Sequence, residues 1–190
     1  LQQVAEVFLT ANGIKPNEVR WVPTAQNWEG QFGVLSSKSV DAVFCEEPFL
    51  SALASRKVGF NLSDFSDPKV MAKIPGASHL RATLTTSSEK LAQDPQPAEM
   101  MVRMLRQSLA WMAKTEPKEI VSRLDLQDKD ERLELIDVLA RHRGMYASDV
   151  RFSRHQVKAT AQFMRAAGIL TDDSFDLNTL IASKIAGVKP

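Results

Sequence analysis

Over residues 1–62 the apolar positions switch between helical and strand periods. Leu1, Val4, Phe8 and Leu9 recur at helical spacing, and Asn12-Gly13 ends that run. Val19-Arg20-Trp21-Val22-Pro23 reads as a short strand, with Thr24-Ala25-Gln26-Asn27 as the loop leaving it. Trp28, Phe32 and Leu35 mark a second helix, closed by the polar run 36–39. The apolar run 40–45 predicts another strand, Pro48 to about Arg56 a helix, and residues 58–62 a third strand. Alternation of this kind predicts right-handed crossovers and a mostly parallel sheet.

The pattern changes after Asp67-Pro68. Residues 68–78 are rich in loop formers, and Leu80, Ala82 and Leu84 alternate with polar neighbours as one more strand. Beyond Ser87 the period is helical almost to the end. A short helix runs to Asp94-Pro95, and a long one from Pro97 carries Met101, Met104, Leu105, Leu109 and Met112 until Thr115-Glu116-Pro117 stops it. Pro117 opens the next, with Ile120, Val121 and Leu124. Residues 128–143 follow, with Leu133, Ile136 and Leu139 or Ala140 inward. Residues 153–167 place Val157, Ala161, Phe163 and Met164 on one face. A last amphipathic piece uses Leu177, Leu180, Ile181 and Ile185. The expectation is thus an α/β chain, a small mostly parallel sheet lobe followed by a helical C-terminal half.

With 24 basic and 23 acidic residues, the chain has no excess charge to draw nucleic acid or an anionic membrane. Its one cysteine, Cys45, excludes an internal disulfide and a cysteine-rich metal site. No apolar run is long enough to span a bilayer. Leu1 already lies inside a helical pattern, with no initiator Met, basic n-region or apolar h-region before it, so the chain is expected to have lost its start.

Chemistry-bearing residues are few. In Val40-Asp41-Ala42-Val43-Phe44-Cys45-Glu46-Glu47-Pro48-Phe49 an apolar strand meets two carboxylates and a proline suited to a first helical turn. Amide donors of residues 47–50 would then point off the strand end, where open α/β sheets bind ligands. The other reading is an ordinary turn in which Glu47 caps the helix. Adjacent glutamates diverge at a strand end, so an acid/base dyad is not expected. Cys45, in an apolar strand with no basic neighbour, reads as an inert core thiol. His142 and His155 read as surface residues, and His79 as a loop residue opening a strand. Phosphate-binding and nucleophile-elbow motifs are missing. The methionines at 100, 101, 104 and 112, and Trp111, read as core, while Trp21 and Trp28 flank the 24–27 loop.

The order of several local patterns resembles the substrate-binding proteins of ABC importers of the nitrate/sulfonate/taurine and thiamine-pyrimidine-precursor type, a periplasmic-binding-protein type II fold. Asn12-Gly13-Ile14-Lys15-Pro16-Asn17-Glu18-Val19 looks like the family's helix-to-strand run. Leu35-Ser36-Ser37-Lys38-Ser39-Val40-Asp41-Ala42-Val43 looks like its approach to the next strand, with Lys38 where Gly is usual. Glu47-Pro48-Phe49 matches its Glu-Pro-Phe turn. Ser108-Leu109-Ala110-Trp111 with Glu116-Pro117-Lys118-Glu119, then Tyr146 and the 163–170 stretch, look like its last helices.

The resemblance covers nearly the whole chain and implies two lobes. Residues 1–78 would be the second α/β lobe. Residues 79–86 would be the strand returning to the first lobe, and residues 87–190 the helices packing on it. About a hundred residues of the first lobe would precede Leu1, which leaves the faces of helices 97–114 and 155–167 partly uncovered and open to self-association. The implied function is non-catalytic: capture of a small polar solute between two lobes and delivery to ABC permease subunits, in the periplasm or lipid-anchored outside the cytoplasmic membrane, with no cofactor. The implied ligand contacts are Thr24, Gln26, Glu46, Glu47 and, near the hinge, His79. Glu46 stands where relatives often carry Trp, and a carboxylate there favours cationic or hydrogen-bond-donating ligands over anions. The same scaffold carries cofactor-biosynthetic enzymes and effector-sensing domains of regulators, the two alternatives.

Overall fold

The computed structural model describes residues 1–25, 27–144, 146–147, 149–172 and 174–189, with Trp28 placed by its backbone. From the N-terminus these form α1 (Gln2–Ala11), α2 (Trp28–Ser36), α3 (Phe49–Ser55), α4 (Pro68–Met71), α5 (Ser88–Gln93), α6 (Gln96–Met112), α7 (Pro117–Ser122) and α8 (Lys129–Arg141). Strand β1 (Phe152–Ser153) leads into α9 (Arg154–Ala166), α10 (Ser183–Ala186) and β2 (Val188–Lys189), with 3-10 turns at Pro16–Glu18 and Leu177–Leu180.

The helices begin where a side chain can satisfy the amides that lack a carbonyl partner. Asn27 accepts from the Gly30 amide at 2.9 Å ahead of α2, and Asp128 from the Glu131 amide at 2.9 Å ahead of α8. Ser153 and Gln156 cap α9 reciprocally, the Gln156 amide donating to Ser153 Oγ at 3.1 Å and the Ser153 amide to Gln156 Oε1 at 3.3 Å.

The chain divides into two compact units: Leu1–Ile74 with Pro117–His142, and Pro75–Glu116 with Arg143–Pro190. They are not consecutive stretches, because α7 and α8 pack with the N-terminal residues. In the first unit Ala5 and Val7 of α1, Ala52 and Leu53 of α3, Ile120 and Val121 of α7, and Val138 and Leu139 of α8 are buried. Phe65 gathers two more rings, Phe8 at 4.8 Å edge-on and Phe44 at 5.1 Å.

The second unit centres on Val102 of α6 and Val157, Ala159 and Phe163 of α9. Arg106 ties its ends together, donating from Nε to the Asp149 carbonyl at 3.1 Å and from Nη2 to the Ala186 carbonyl at 3.0 Å. Lys189 pairs with the Asp149 carboxylate. Here too lies the one sheet among the described residues, two parallel strands with Phe152 opposite Val188 and Ser153 opposite Lys189.

The α/β expectation therefore holds in its coarse form only: a mainly helical chain with one small parallel sheet, placed at 152–153 and 188–189 and not in residues 19–62. The expected strands at 19–22, 40–45 and 58–62 form no ladder among the described residues, and neither does 80–85. A strand needs a second backbone to receive its hydrogen bonds, and among the described residues none is paired with these segments. Val19 is extended, at φ −118° and ψ 126°, but its amide closes the preceding 3-10 turn on Pro16. The Phe44 ring packs on Phe65. The Val58 amide returns to the Leu53 carbonyl, leaving Phe60 and Leu62 83% and 82% exposed. The Leu80 amide donates to Thr160 Oγ1 of α9 at 2.9 Å.

The helical expectation for residues 97–185 is met, with Phe152–Ser153 its only strand among the described residues. The inward side is met only in part: Leu139 of α8 is buried as expected, and Leu105, Leu109 and Met112 of α6 are half-buried. Met101, Met104 and Trp111 of α6 are exposed, as is Leu133 of α8, while Val102 and Val138 take the buried places. The final amphipathic piece breaks at Ile181, whose backbone is extended, into the Leu177–Leu180 turn and α10.

Candidate functional site

The acidic turn at 46–48 opens α3 across a cis Glu47–Pro48 bond. The amides of Phe49, Leu50 and Ser51, which follow it, are already taken. The Glu46 carbonyl accepts from the Phe49 amide at 3.0 Å and the Leu50 amide at 3.3 Å. Glu47 Oε2 accepts from the Ser51 amide at 3.1 Å, and Oε1 from the Ser51 hydroxyl at 2.8 Å. The expected array of amides pointing off a strand end is thus absent at residues 49–51. Among the described residues neither the strand nor free donors at residues 49 and 50 are found.

The geometry separates the two glutamates. The Glu47 side chain is 18% exposed and lies 4.0 Å from Arg141 Nη2 of α8. Arg141 donates from Nε to Asp137 Oδ2 at 2.8 Å. Glu46 is exposed, and among the described residues its carboxylate accepts no hydrogen bond and joins no ion pair. Cys45, half-buried beside them, has its thiol pushed up to about 11 by burial and then by the charges of Glu47 and Glu46. It is a poor nucleophile.

Thr24 is exposed in the loop before α2. The loop folds close onto that helix: a Cβ on Gly30 would stand 2.9 Å from the Ala25 carbonyl oxygen. Gln26, the second expected contact in this loop, lies outside the described residues. No hydrogen bond joins Thr24 to Glu46 or Glu47. Among the described residues no pair of parallel strands ends at this loop and at the 46–48 turn, so no sheet edge brings the two together.

His79 belongs to the second unit, in the turn that follows Ile74. Its ring stacks on Phe163 of α9, centroids 4.0 Å apart and planes 11° from parallel. Nδ1 donates to the Gly76 carbonyl at 2.9 Å, so the neutral ring carries its proton there. Burial lowers its pKa, the Gly76 hydrogen bond raises it, and the Arg81 charge lowers it further. Ser78, one residue before, pairs its hydroxyl with His155 Nε2 at 2.9 Å. These contacts hold the turn against α9. They make His79 a packing residue of the second unit.

One polar residue of the first unit escaped the sequence reading. Gln31 of α2 is 5% exposed, and its Oε1 has no hydrogen-bond partner among the described residues. A glutamine between apolar neighbours at helical spacing reads as solvent-facing, so only packing reveals it. Among the described residues no group of three or more His, Cys, Asp or Glu side chains is placed to hold a metal ion, and no helix is long and apolar enough to cross a membrane. No protein-family model, no curated protein and no solved structure matches the chain.

Proposed function

We propose that this chain is the solute-binding component of an ABC importer, working outside the cytoplasmic membrane on a small polar ligand that offers hydrogen-bond donors or positive charge. The order of its sequence patterns around Glu47-Pro48-Phe49 supports the family reading. The observation that carries the ligand class is the division of labour in that turn, where Glu47 is committed to Ser51 and Glu46 is free. Glu46 receives the donors of the ligand, Thr24 adds a neutral hydrogen-bonding group, and Glu47 fixes the turn that presents Glu46. A carboxylate in this position repels nitrate and sulfonate groups and attracts ammonium and amino-pyrimidine groups.

Calorimetric titration with nitrate, an alkanesulfonate, taurine and an aminopyrimidine tests this reading. The expected order places the aminopyrimidine first and nitrate last. Glu46→Gln should weaken the best ligand by roughly ten- to a hundredfold, the worth of a charge-assisted hydrogen bond. Equal binding by the wild type and this variant, or no heat from any of the four solutes, would overturn it.

A further inference from the structure

A groove of about 630 Å³ runs along α9 in the second unit, floored by Val157 and Ala161 of that helix and by Leu177 and Ile181 opposite. That volume falls within the roughly 300–1,000 Å³ of small-molecule sites. Phe175 and Val188 stand at its rim, 40% and 38% exposed, so the groove keeps apolar surface in contact with water. Arg154 and Lys158 line it too, one helical turn apart on the face that carries Val157 and Ala161.

Neither cation has a hydrogen bond or ion pair among the described residues. Elsewhere in this unit Arg106 is committed to the Asp149 and Ala186 carbonyls and Lys189 to the Asp149 carboxylate. Arg103, Lys114 and Lys184, like Arg154 and Lys158, are unpaired among the described residues, but they do not line the groove. Asp176 also lines the groove, but its Oδ1 accepts from the Asn178 amide at 2.9 Å and from Asn178 Nδ2 at 2.7 Å. Asp176 thus caps the Leu177–Leu180 turn and forms no ion pair with Arg154 or Lys158.

We infer that the groove binds a small amphipathic carboxylate. Its head lies between Arg154 and Lys158, and its alkyl body covers Val157, Ala161 and Ile181. Charge complementarity selects the anion, and the apolar floor discriminates against anions without a tail. From Arg154 to Ala161 the helix advances about 10 Å, the length of a chain of about eight carbons. The site shares no residue with the Glu46 turn, so it stands or falls independently of the importer reading.

Octanoate titrated into the full chain, followed by two-dimensional amide NMR, tests the inference beside octanol (tail without charge) and acetate (charge without tail). Octanoate should give saturable shifts clustered at residues 154–161 and 175–183, with at least tenfold tighter binding than either control. Because Arg154 and Lys158 are exposed, the double variant Arg154→Gln/Lys158→Gln should keep its melting temperature. It should lose about tenfold in octanoate affinity while binding octanol unchanged. Octanoate binding no tighter than octanol, shifts clustered elsewhere, or equal octanoate affinity in the double variant would each overturn the site.

Discussion

Arg141 donates from Nη2 to the Ser51 hydroxyl oxygen at 2.7 Å, tying the last turn of α8 to the first turn of α3. Ser51 in turn donates to Glu47, so one serine links a helix cap to a guanidinium from a distant part of the sequence. The ion pair itself contributes little, since Arg141 is 45% exposed and 4.0 Å from the carboxylate. The cap matters more. Glu47→Ala should cost about 1–2 kcal/mol in stability, whereas Glu46→Ala should stay within about 0.5 kcal/mol. Urea denaturation midpoints measure both, and equal midpoints for Glu47→Ala and wild type would show that the turn is held some other way.

Gly76 has φ +67°, and a Cβ there would fall 2.1 Å from the Ala159 carbonyl oxygen and 2.6 Å from the Phe163 amide nitrogen. Both are backbone atoms of a helix and cannot step aside. Gly76→Ala should therefore destabilise the second unit by upwards of about 2 kcal/mol, backbone strain and steric displacement acting together. Gly33, whose added Cβ would meet nothing within 4 Å, provides the control: Gly33→Ala in α2 should be neutral or stabilising. Thermal melts of the two variants decide the point.

His79 gives the fold a pH dependence whose sign follows from its surroundings. Burial is the largest influence and, with Arg81, holds its pKa below the ordinary histidine value, against the opposing hydrogen bond to Gly76. The unfolded chain then takes up the proton first, so it binds more protons than the folded chain between the two pKa values. Stability should fall as pH drops through about 6.5 and level off below the folded-state pKa. His79→Phe, which keeps a ring on Phe163, should remove this part of the slope. A variant melting profile between pH 7.5 and 5 that parallels the wild type would rule the histidine out as its source.

With its thiol raised from 9.0 to about 11, Cys45 should react slowly with alkylating agents. At pH 8 its thiolate population should lie about a hundredfold below that of an unperturbed cysteine. Iodoacetamide kinetics should show a rate still climbing past pH 10. Glu47→Gln should speed the reaction by removing the larger of the two neighbouring charges. Rapid labelling at pH 7 would contradict the environment described for this thiol.

By itself the sequence determined most of the helices, though not α4, which lies in a stretch that reads as loop. Asn27, Asp128 and Ser153 cap where the side-chain chemistry places them, Pro117 opens α7 and the Ala167-Gly168 stop follows α9, because capping and helical periodicity act within a few residues. The inertness of Cys45 was legible from its apolar run and the lack of a basic neighbour, although the burial that chiefly raises its pKa comes from packing. Only tertiary structure decided whether residues 19–22, 40–45 and 58–62 become strands, since a ladder requires a distant backbone and apolar alternation cannot name one. It also decided the candidate site. Capping by Glu47 was one of two readings open in the sequence, because Ser51 lies four residues on; the fold settles it and adds Arg141 from α8, leaving Glu46 without a partner among the described residues. The turn around Gly76 is the same kind of case: a glycine becomes obligatory only when α9 arrives beside it, because local chemistry sets what an element can be and packing between elements sets what each residue must do.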